Sequence, residues 1–122
     1  MILLNNFYTI EHIKNNAQEC STKIHIKTEH PILKGHFPQE AVVPGVVILQ
    51  IAKELLETHF SNALVLTHAS QIKYLVPIAV AQFEMVQFDL SFQINEQDIS
   101  TNMQVSYNET IFCKAKLLFR KK

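Results

Sequence analysis

Glycine is scarce in this chain. Its 122 residues hold two, Gly35 and Gly45, ten positions apart, where average usage of about 7% would give about eight or nine. Cysteine is as rare: Cys20 and Cys113, with 92 residues between them, form no CxxC pair and are too few for a disulfide framework, so both are expected as reduced thiols. An excess of charge is missing too. Eleven Lys and Arg balance eleven Asp and Glu, which argues against a nucleic-acid partner held by phosphate neutralisation. Long apolar runs are absent. The longest, Ala41 to Leu49, is broken by Pro44 and Gly45 and falls far short of the roughly 20 residues that span a membrane. Met1 to Leu4 stops at Asn5 and Asn6 without a basic lead or a long apolar stretch, unlike a signal peptide. The terminal Arg120-Lys121-Lys122 is too short to be a lipid-binding patch. These absences lead us to expect a soluble cytoplasmic protein with no membrane partner.

What is present suits one core. Hydrophobic residues make up 48% of the chain, and no repeat, low-complexity stretch or Pro/Gly/Ser-rich linker divides it, so residues 1–122 are expected to form a single domain. Phe7 to Lys14 fits neither period well and reads as an entry strand or a short helix. In Thr22 to Lys27, Ile24 and Ile26 alternate with Lys23, His25 and Lys27, the period of a strand with one buried face. Pro44 to about His59 predicts a helix. Ile48, Ile51, Ala52, Leu55 and Leu56 follow its spacing, Lys53, Glu54 and Glu57 mark a wet side, and Gln50 is the one polar side chain in the first two turns. Strands are expected at 63–67, 70–75, 81–94, 99–107 and 110–119. The third changes parity, which a bulge near Val86 and Gln87 would repair, and Asn108-Glu109 reads as a tight hairpin between the last two. One largely apolar helix among so many strands must be wrapped by the sheet.

The segment from His30 to Val46 joins the Ile24/Ile26 strand to this helix. It holds an imidazole, His36, between Gly35 and Phe37, a loop bounded by Pro38 and Pro44, and a helix start with Gly45 in its first turn. The N–H groups at such a start lack partners within the helix and carry partial positive charge. A glycine there lets a carbonyl approach them.

Gly35-His36-Phe37-Pro38 and, after a short loop, Pro44-Gly45-Val46 resemble the active-site segment of the hotdog-fold 3-hydroxyacyl-(acyl carrier protein) dehydratases. Ile72 to Pro77 is similar to that family's strand ending in proline, and Lys114 to Phe119 to its last strand. The resemblance implies an α+β hotdog fold, an antiparallel sheet wrapped around one long helix. It implies His36 as the base on the α-carbon of an acyl thioester, with the amides around Gly45 and Val46 polarising the thioester carbonyl. Both roles suit the chemistry. A neutral imidazole has its pKa near the operating pH, and aligned N–H donors stabilise the charge that builds on the thioester oxygen. Phe37 is placed beside the substrate, although Phe37 and Tyr74 also read as packing residues.

One position departs from the pattern. The family carries Glu or Asp 14 residues after the histidine, and here that residue is Gln50. A carboxamide can hydrogen-bond a hydroxyl or a water but does not exchange a proton near pH 7, and losing a positioned acid–base group lowers a rate by on the order of 10²–10⁴. Gln50 also opens the polar side of the helix, ahead of Lys53 and Glu54. Three activities stay open. The chain is a dehydratase with His36 as base and acid and Gln50 orienting the hydroxyl; a thioesterase of the same fold in which Gln50 places the attacking water; or a subunit that binds acyl carrier protein and completes a partner's site. Hotdog domains pair side by side and build each site from two chains, so a homodimer, a higher homo-oligomer or a heterodimer with a catalytic homologue is implied. No metal or other cofactor is expected: His12, His25, His30, His59 and His68 lack metal-ligand spacing.

Overall fold

The alternation of Ile24 and Ile26 with polar neighbours makes a strand, and both isoleucines face the core, 0% and 1% exposed. A computed structural model of the chain describes residues 2–33 and 41–122. Its elements are β1 (Tyr8–Asn15), β2 (Glu19–Ile26), a short 3-10 turn at Pro31–Leu33, α1 (Gly45–Phe60), β3 (Leu64–Tyr74), β4 (Met85–Asn95), β5 (Asp98–Tyr107) and β6 (Thr110–Lys121). The six strands form one antiparallel sheet in the order β1-β2-β4-β5-β6-β3. The arrangement is α+β, as the resemblance implied.

The helix lies on the apolar face of this sheet. Val47, Ile48, Ile51, Ala52, Leu55 and Leu56 recur at three- and four-residue spacing and are buried. They share one hydrophobic cluster with Ile24 and Cys20 of β2, Val86, Phe88 and Leu90 of β4, Met103 and Val105 of β5, and Cys113, Leu117 and Phe119 of β6. Each fully buried aliphatic or aromatic side chain contributes about 1.5–3 kcal/mol, so this stripe is what fixes the helix on the sheet. Ser61, in the left-handed region at φ 50°, ends it by donating its N–H to Glu57 O.

Several expectations are sharpened or corrected. The entry segment is a strand, β1. Residues 63–67 and 70–75 belong to one strand, β3, interrupted by irregularities between Leu66 and His68 and between Ser70 and Lys73, with Gln71 at φ 50°. β4 needs no bulge at Val86 and Gln87, because it starts only at Met85. Phe83 lies in the preceding turn, where its N–H and that of Gln82 donate to Ala79 O, and its ring meets Phe112 edge-on at 4.9 Å. From Val86 to Phe92 β4 buries its even positions, Ile94 near its end is exposed, and the strand pairs with β5 without a register shift. The Asn108-Glu109 hairpin is present, with Asn108 at φ 52°. Among the described residues, no helix is long and apolar enough to cross a membrane.

Candidate active site

The start of α1 is placed by the chain just before it. Val43 N donates to Ile78 O at 3.1 Å and Val80 N to Ala41 O at 3.1 Å, so the approach to the helix is pinned to residues 78–80. Pro44 then stands at the N-cap with extended backbone (φ −61°, ψ 146°). The helix's own ladder opens with Val47 N and Ile48 N donating to Pro44 O at 3.0 and 3.2 Å. The N–H groups of Gly45 and Val46 therefore lie ahead of that ladder, where the helix concentrates positive partial charge. Among the described residues no side chain caps this end, and no acidic residue occupies the first turn.

Gly45 is needed for a close approach, and a specific one. A Cβ added there would sit 2.5 Å from the Tyr74 hydroxyl and 2.6 Å from its Cζ, so the ring end of Tyr74 occupies the space a side chain would fill. Tyr74 is 55% exposed, and its ring end packs on the helix start. Partial burial, with a smaller contribution from the Cys113 thiol, holds its hydroxyl above the ordinary tyrosine value, so it carries its proton at neutral pH.

One turn further, Gln50 is half-buried and its Nε2 donates to Glu54 Oε2 at 2.8 Å. Glu54 corrects the reading of the helix's wet side, since it is only 7% exposed. Burying a carboxylate is unfavourable unless its oxygens are satisfied, and here they are. Oε2 also accepts from Leu3 N at 2.8 Å, and Oε1 accepts from Leu4 N at 2.8 Å and from the Tyr8 hydroxyl at 3.0 Å. Burial and the neighbouring Glu54 carboxylate in turn push the Tyr8 hydroxyl far up. Glu57, another supposed wet residue, accepts from Leu64 N at 2.9 Å and ties the helix to β3.

Val46, Leu49, Gln50 and Lys53 of α1 line a cleft of about 390 Å³ with Leu64, Val65 and Leu66 of β3 and Lys122. A larger concavity of about 610 Å³ crosses the opposite, solvent-facing side of the sheet, among Ser21, Lys73, Asp89 and Lys114. It does not touch α1, whereas Val46 and Gln50 line the smaller cleft. Val46, 75% exposed, stands at its mouth.

Of the expected site residues, Gly45, Val46 and Gln50 fall along the first turns of one helix, Val46 and Gln50 in the same cleft. His36 and Phe37, with Gly35, lie outside the described residues. Glu54 escaped sequence reasoning because its partners are two main-chain amides and a tyrosine some 50 positions away. The other histidines have structural surroundings: His30 Nδ1 accepts from Ile32 N at 3.1 Å, His25 reaches Glu84 at 3.3 Å, and His59 packs against Phe60 and Phe92. Among the described residues no three His, Cys, Asp or Glu side chains are grouped to hold a metal ion.

Solved structures share this architecture. The chain superposes on the dehydratase heterocomplex ApeI:P of Xenorhabdus doucetiae with a TM-score of 0.74, at 12% identity, covering 92% of this chain and 96% of that one. A hypothetical thioesterase from Streptococcus pneumoniae, solved with coenzyme A, gives 0.67 at 14% identity over 94% and 85% of the two chains. A putative thioesterase from Lactococcus lactis gives 0.69 at 12% identity over 96% and 93%. These identities speak for the fold alone, which is the hotdog fold. No curated protein matches by sequence. A family model does, that of the ApeI-like proteins, described as ApeI dehydratase, and since it matches residues 12–113, the chain belongs to the ApeI-like dehydratase family.

Proposed function

We propose that this protein dehydrates 3-hydroxyacyl thioesters carried on acyl carrier protein to 2-enoyl thioesters, as a cytoplasmic step in making a fatty or related acyl chain. The observation that carries the reading is that Val46, in the first turn of α1, and Gln50, one turn on, line a single cleft, in a chain of a dehydratase family. In this reading the N–H groups of Gly45 and Val46 meet the thioester oxygen, and the His36 imidazole takes the proton from C2. The electron pair moves into the C2–C3 bond as the C3–O bond breaks. The imidazolium returns its proton to the departing hydroxyl, which leaves as water, so His36 ends as it began. Gln50 orients the hydroxyl, and Phe37 lies beside the acyl chain.

We infer also that the site works in a pair of chains, either two copies or this chain with a homologue. Two features support it. β3 is at the edge of the sheet, and Val46 and Val65, exposed by 75% and 41%, stand beside the cleft where a second chain would cover them. An edge strand bearing apolar side chains is the usual starting point for pairing. The ApeI:P structure is a heterocomplex by its description, which fits a chain that borrows its acid from a partner.

Purified protein would be given 3-hydroxyacyl and saturated acyl thioesters while enoyl product and free thiol are followed. Enoyl formation that falls at least about 10²-fold in His36→Ala is the expected result. Free thiol released from both substrates without enoyl product would make the protein a thioesterase. Activity that appears only on adding a co-purified homologue would make it the subunit that completes another chain's site.

A further inference from the structure

The face of the sheet turned away from α1 carries a graded row of charge. Ser21 of β2, Asp89 of β4, Gln104 of β5, Lys114 of β6 and Lys73 of β3 stand in register across it. The row beside it repeats the order from acid through amide to base, with Glu19, Asn102 and Lys116. All of these residues line the concavity of about 610 Å³. Neighbouring strands lie about 4.8 Å apart, so its acidic and basic ends are separated by about 10 Å.

Lys73 reaches this face only through an irregularity. Ser70 pairs with Lys116, and regular pairing from there would set Ile72 against Lys114 and Lys73 against Cys113, which is 0% exposed on the core side. Instead β3 takes up an extra residue between Ser70 and Lys73, with Gln71 at φ 50°, and Lys73 comes to lie opposite Lys114. A left-handed backbone at a residue other than glycine and two like charges set opposite each other both cost stability. Among the described residues no side chain pairs with Lys73, Lys114 or Lys116 by an ion pair or a hydrogen bond. At the other end the carboxylate is already oriented. Ser21 Oγ donates to Asp89 Oδ1 at 2.6 Å and Gln87 Nε2 to the same oxygen at 3.3 Å, so Oδ2 is left for a ligand.

We propose that this concavity is a second binding site, for a small phosphate ester that carries hydroxyl groups. The phosphate accepts charge-assisted hydrogen bonds from Lys73, Lys114 and Lys116, Asn102 and Gln104 lie under the middle of the ligand, and a hydroxyl at its far end donates to Asp89. The lining favours a small hydrophilic molecule. Leu90, Met103 and Ala115, 1%, 3% and 5% exposed, belong to the core cluster, so a protein partner finds no apolar anchor there. No aromatic residue lines the concavity to stack on a base. The site shares no residue with the cleft at α1, and it stands or falls separately from the acyl-thioester function.

The test follows the backbone amide resonances of the whole chain at low salt while glucose 6-phosphate, inorganic phosphate or glucose is added. Glucose 6-phosphate should give saturable shifts at millimolar concentration, centred on residues 71–73, 89–91, 102–104 and 114–116. It should bind at least about tenfold tighter than inorganic phosphate, the effect of a further hydrogen bond to a carboxylate, and glucose alone should not bind. Lys73→Gln should weaken glucose 6-phosphate by about tenfold or more. In the ligand-free protein the same variant should raise the melting temperature by about 1–4 °C, because the like charge facing Lys114 is gone. A lysine of a merely solvated face would not move affinity and stability in opposite directions. Lys23→Gln, on β2 outside the concavity, should bind as the parent does. Binding that survives Lys73→Gln combined with Lys114→Gln overturns the proposal, as does an equal loss in Lys23→Gln or the absence of any saturable shift. Inorganic phosphate bound as tightly as the ester overturns the assignment of a hydroxyl-bearing ligand.

Discussion

Gln50 and Glu54 stand four residues apart on α1, and the amide of the first donates to the carboxylate of the second at 2.8 Å. The obvious repair of the departed acid, Gln50→Glu, would therefore set two carboxylates against each other in a half-buried place, where like charges oppose joint ionisation. That variant should lose stability on the order of 1 kcal/mol at neutral pH and recover it as the pH falls and one carboxylate takes up a proton. The double variant Gln50→Glu/Glu54→Gln restores an acid–amide pair in reverse order. It should form enoyl product faster than Gln50→Glu, by at least about tenfold. Equal rates for the two would show that Glu54 does not hinder an acid at position 50.

The carboxylate also ties the start of the chain to the helix. Glu54→Ala leaves Leu3 N, Leu4 N, the Tyr8 hydroxyl and Gln50 Nε2 without their acceptor, and urea denaturation should show a loss of about 2–4 kcal/mol. Tyr8→Phe removes a single bond to it and should cost about 1 kcal/mol. A Glu54→Ala loss no larger than that of Tyr8→Phe would mean that water reaches the released donors.

Gly45 and Tyr74 should couple. In Gly45→Ala the new methyl meets the Tyr74 ring end, which must move, so the usual gain from replacing a helical glycine, about 0.5–1 kcal/mol, should be absent. In a Tyr74→Ala background the same change should give that gain. Additive stabilities across the four proteins would rule out the contact.

Alkali should loosen the fold, with a sign set by groups whose pKa values lie higher in the folded state. Burial raises the Cys20 and Cys113 thiols, and burial with Glu54 raises the Tyr8 hydroxyl. Above the unfolded values, about 8.5 for thiols and about 10 for tyrosine, the unfolded chain releases protons that the folded chain keeps, so stability is whole below that range and falls as the pH rises through it. Urea midpoints should decline from about pH 8.5 upward, and Tyr8→Phe should flatten the part above about pH 10. A midpoint constant to pH 11 would contradict this.

Val65→Asp places a charge on the exposed part of β3 beside the cleft. Light scattering should find the altered chain at half the mass of the parent, or no longer bound to a homologue, with its far-UV spectrum retained. An unchanged mass would move the pairing surface elsewhere.

What could be read from the sequence was whatever local spacing decides. The helix from Gly45 to Phe60 and the strand carrying Ile24 and Ile26 follow from side-chain periods, and the Asn108-Glu109 turn from residues that accept a left-handed backbone. The resemblance pointed to the hotdog architecture through Pro44-Gly45-Val46. Non-local partners were illegible. Glu54 looked wet because its neighbours Lys53 and Glu57 are polar, yet amides some 50 residues away make a buried place for it. β3 looked like two strands because its irregularities upset the alternation along it, and only pairing with β6 joins the halves. Phe83 looked like part of β4 because an apolar residue in a turn can pack as well as one in a strand.

The grip of Glu54 on Leu3 and Leu4 is made through main-chain hydrogens, so what it asks of those positions is an N–H and nothing of the side chain. Packing constrains Leu3, which is 2% exposed, but the bonds themselves tolerate any residue except proline, which has no hydrogen to give. Related chains can therefore drift freely in letters at these two positions while keeping the tie, and a proline at either would mark a chain whose helix carboxylate has lost one of its anchors.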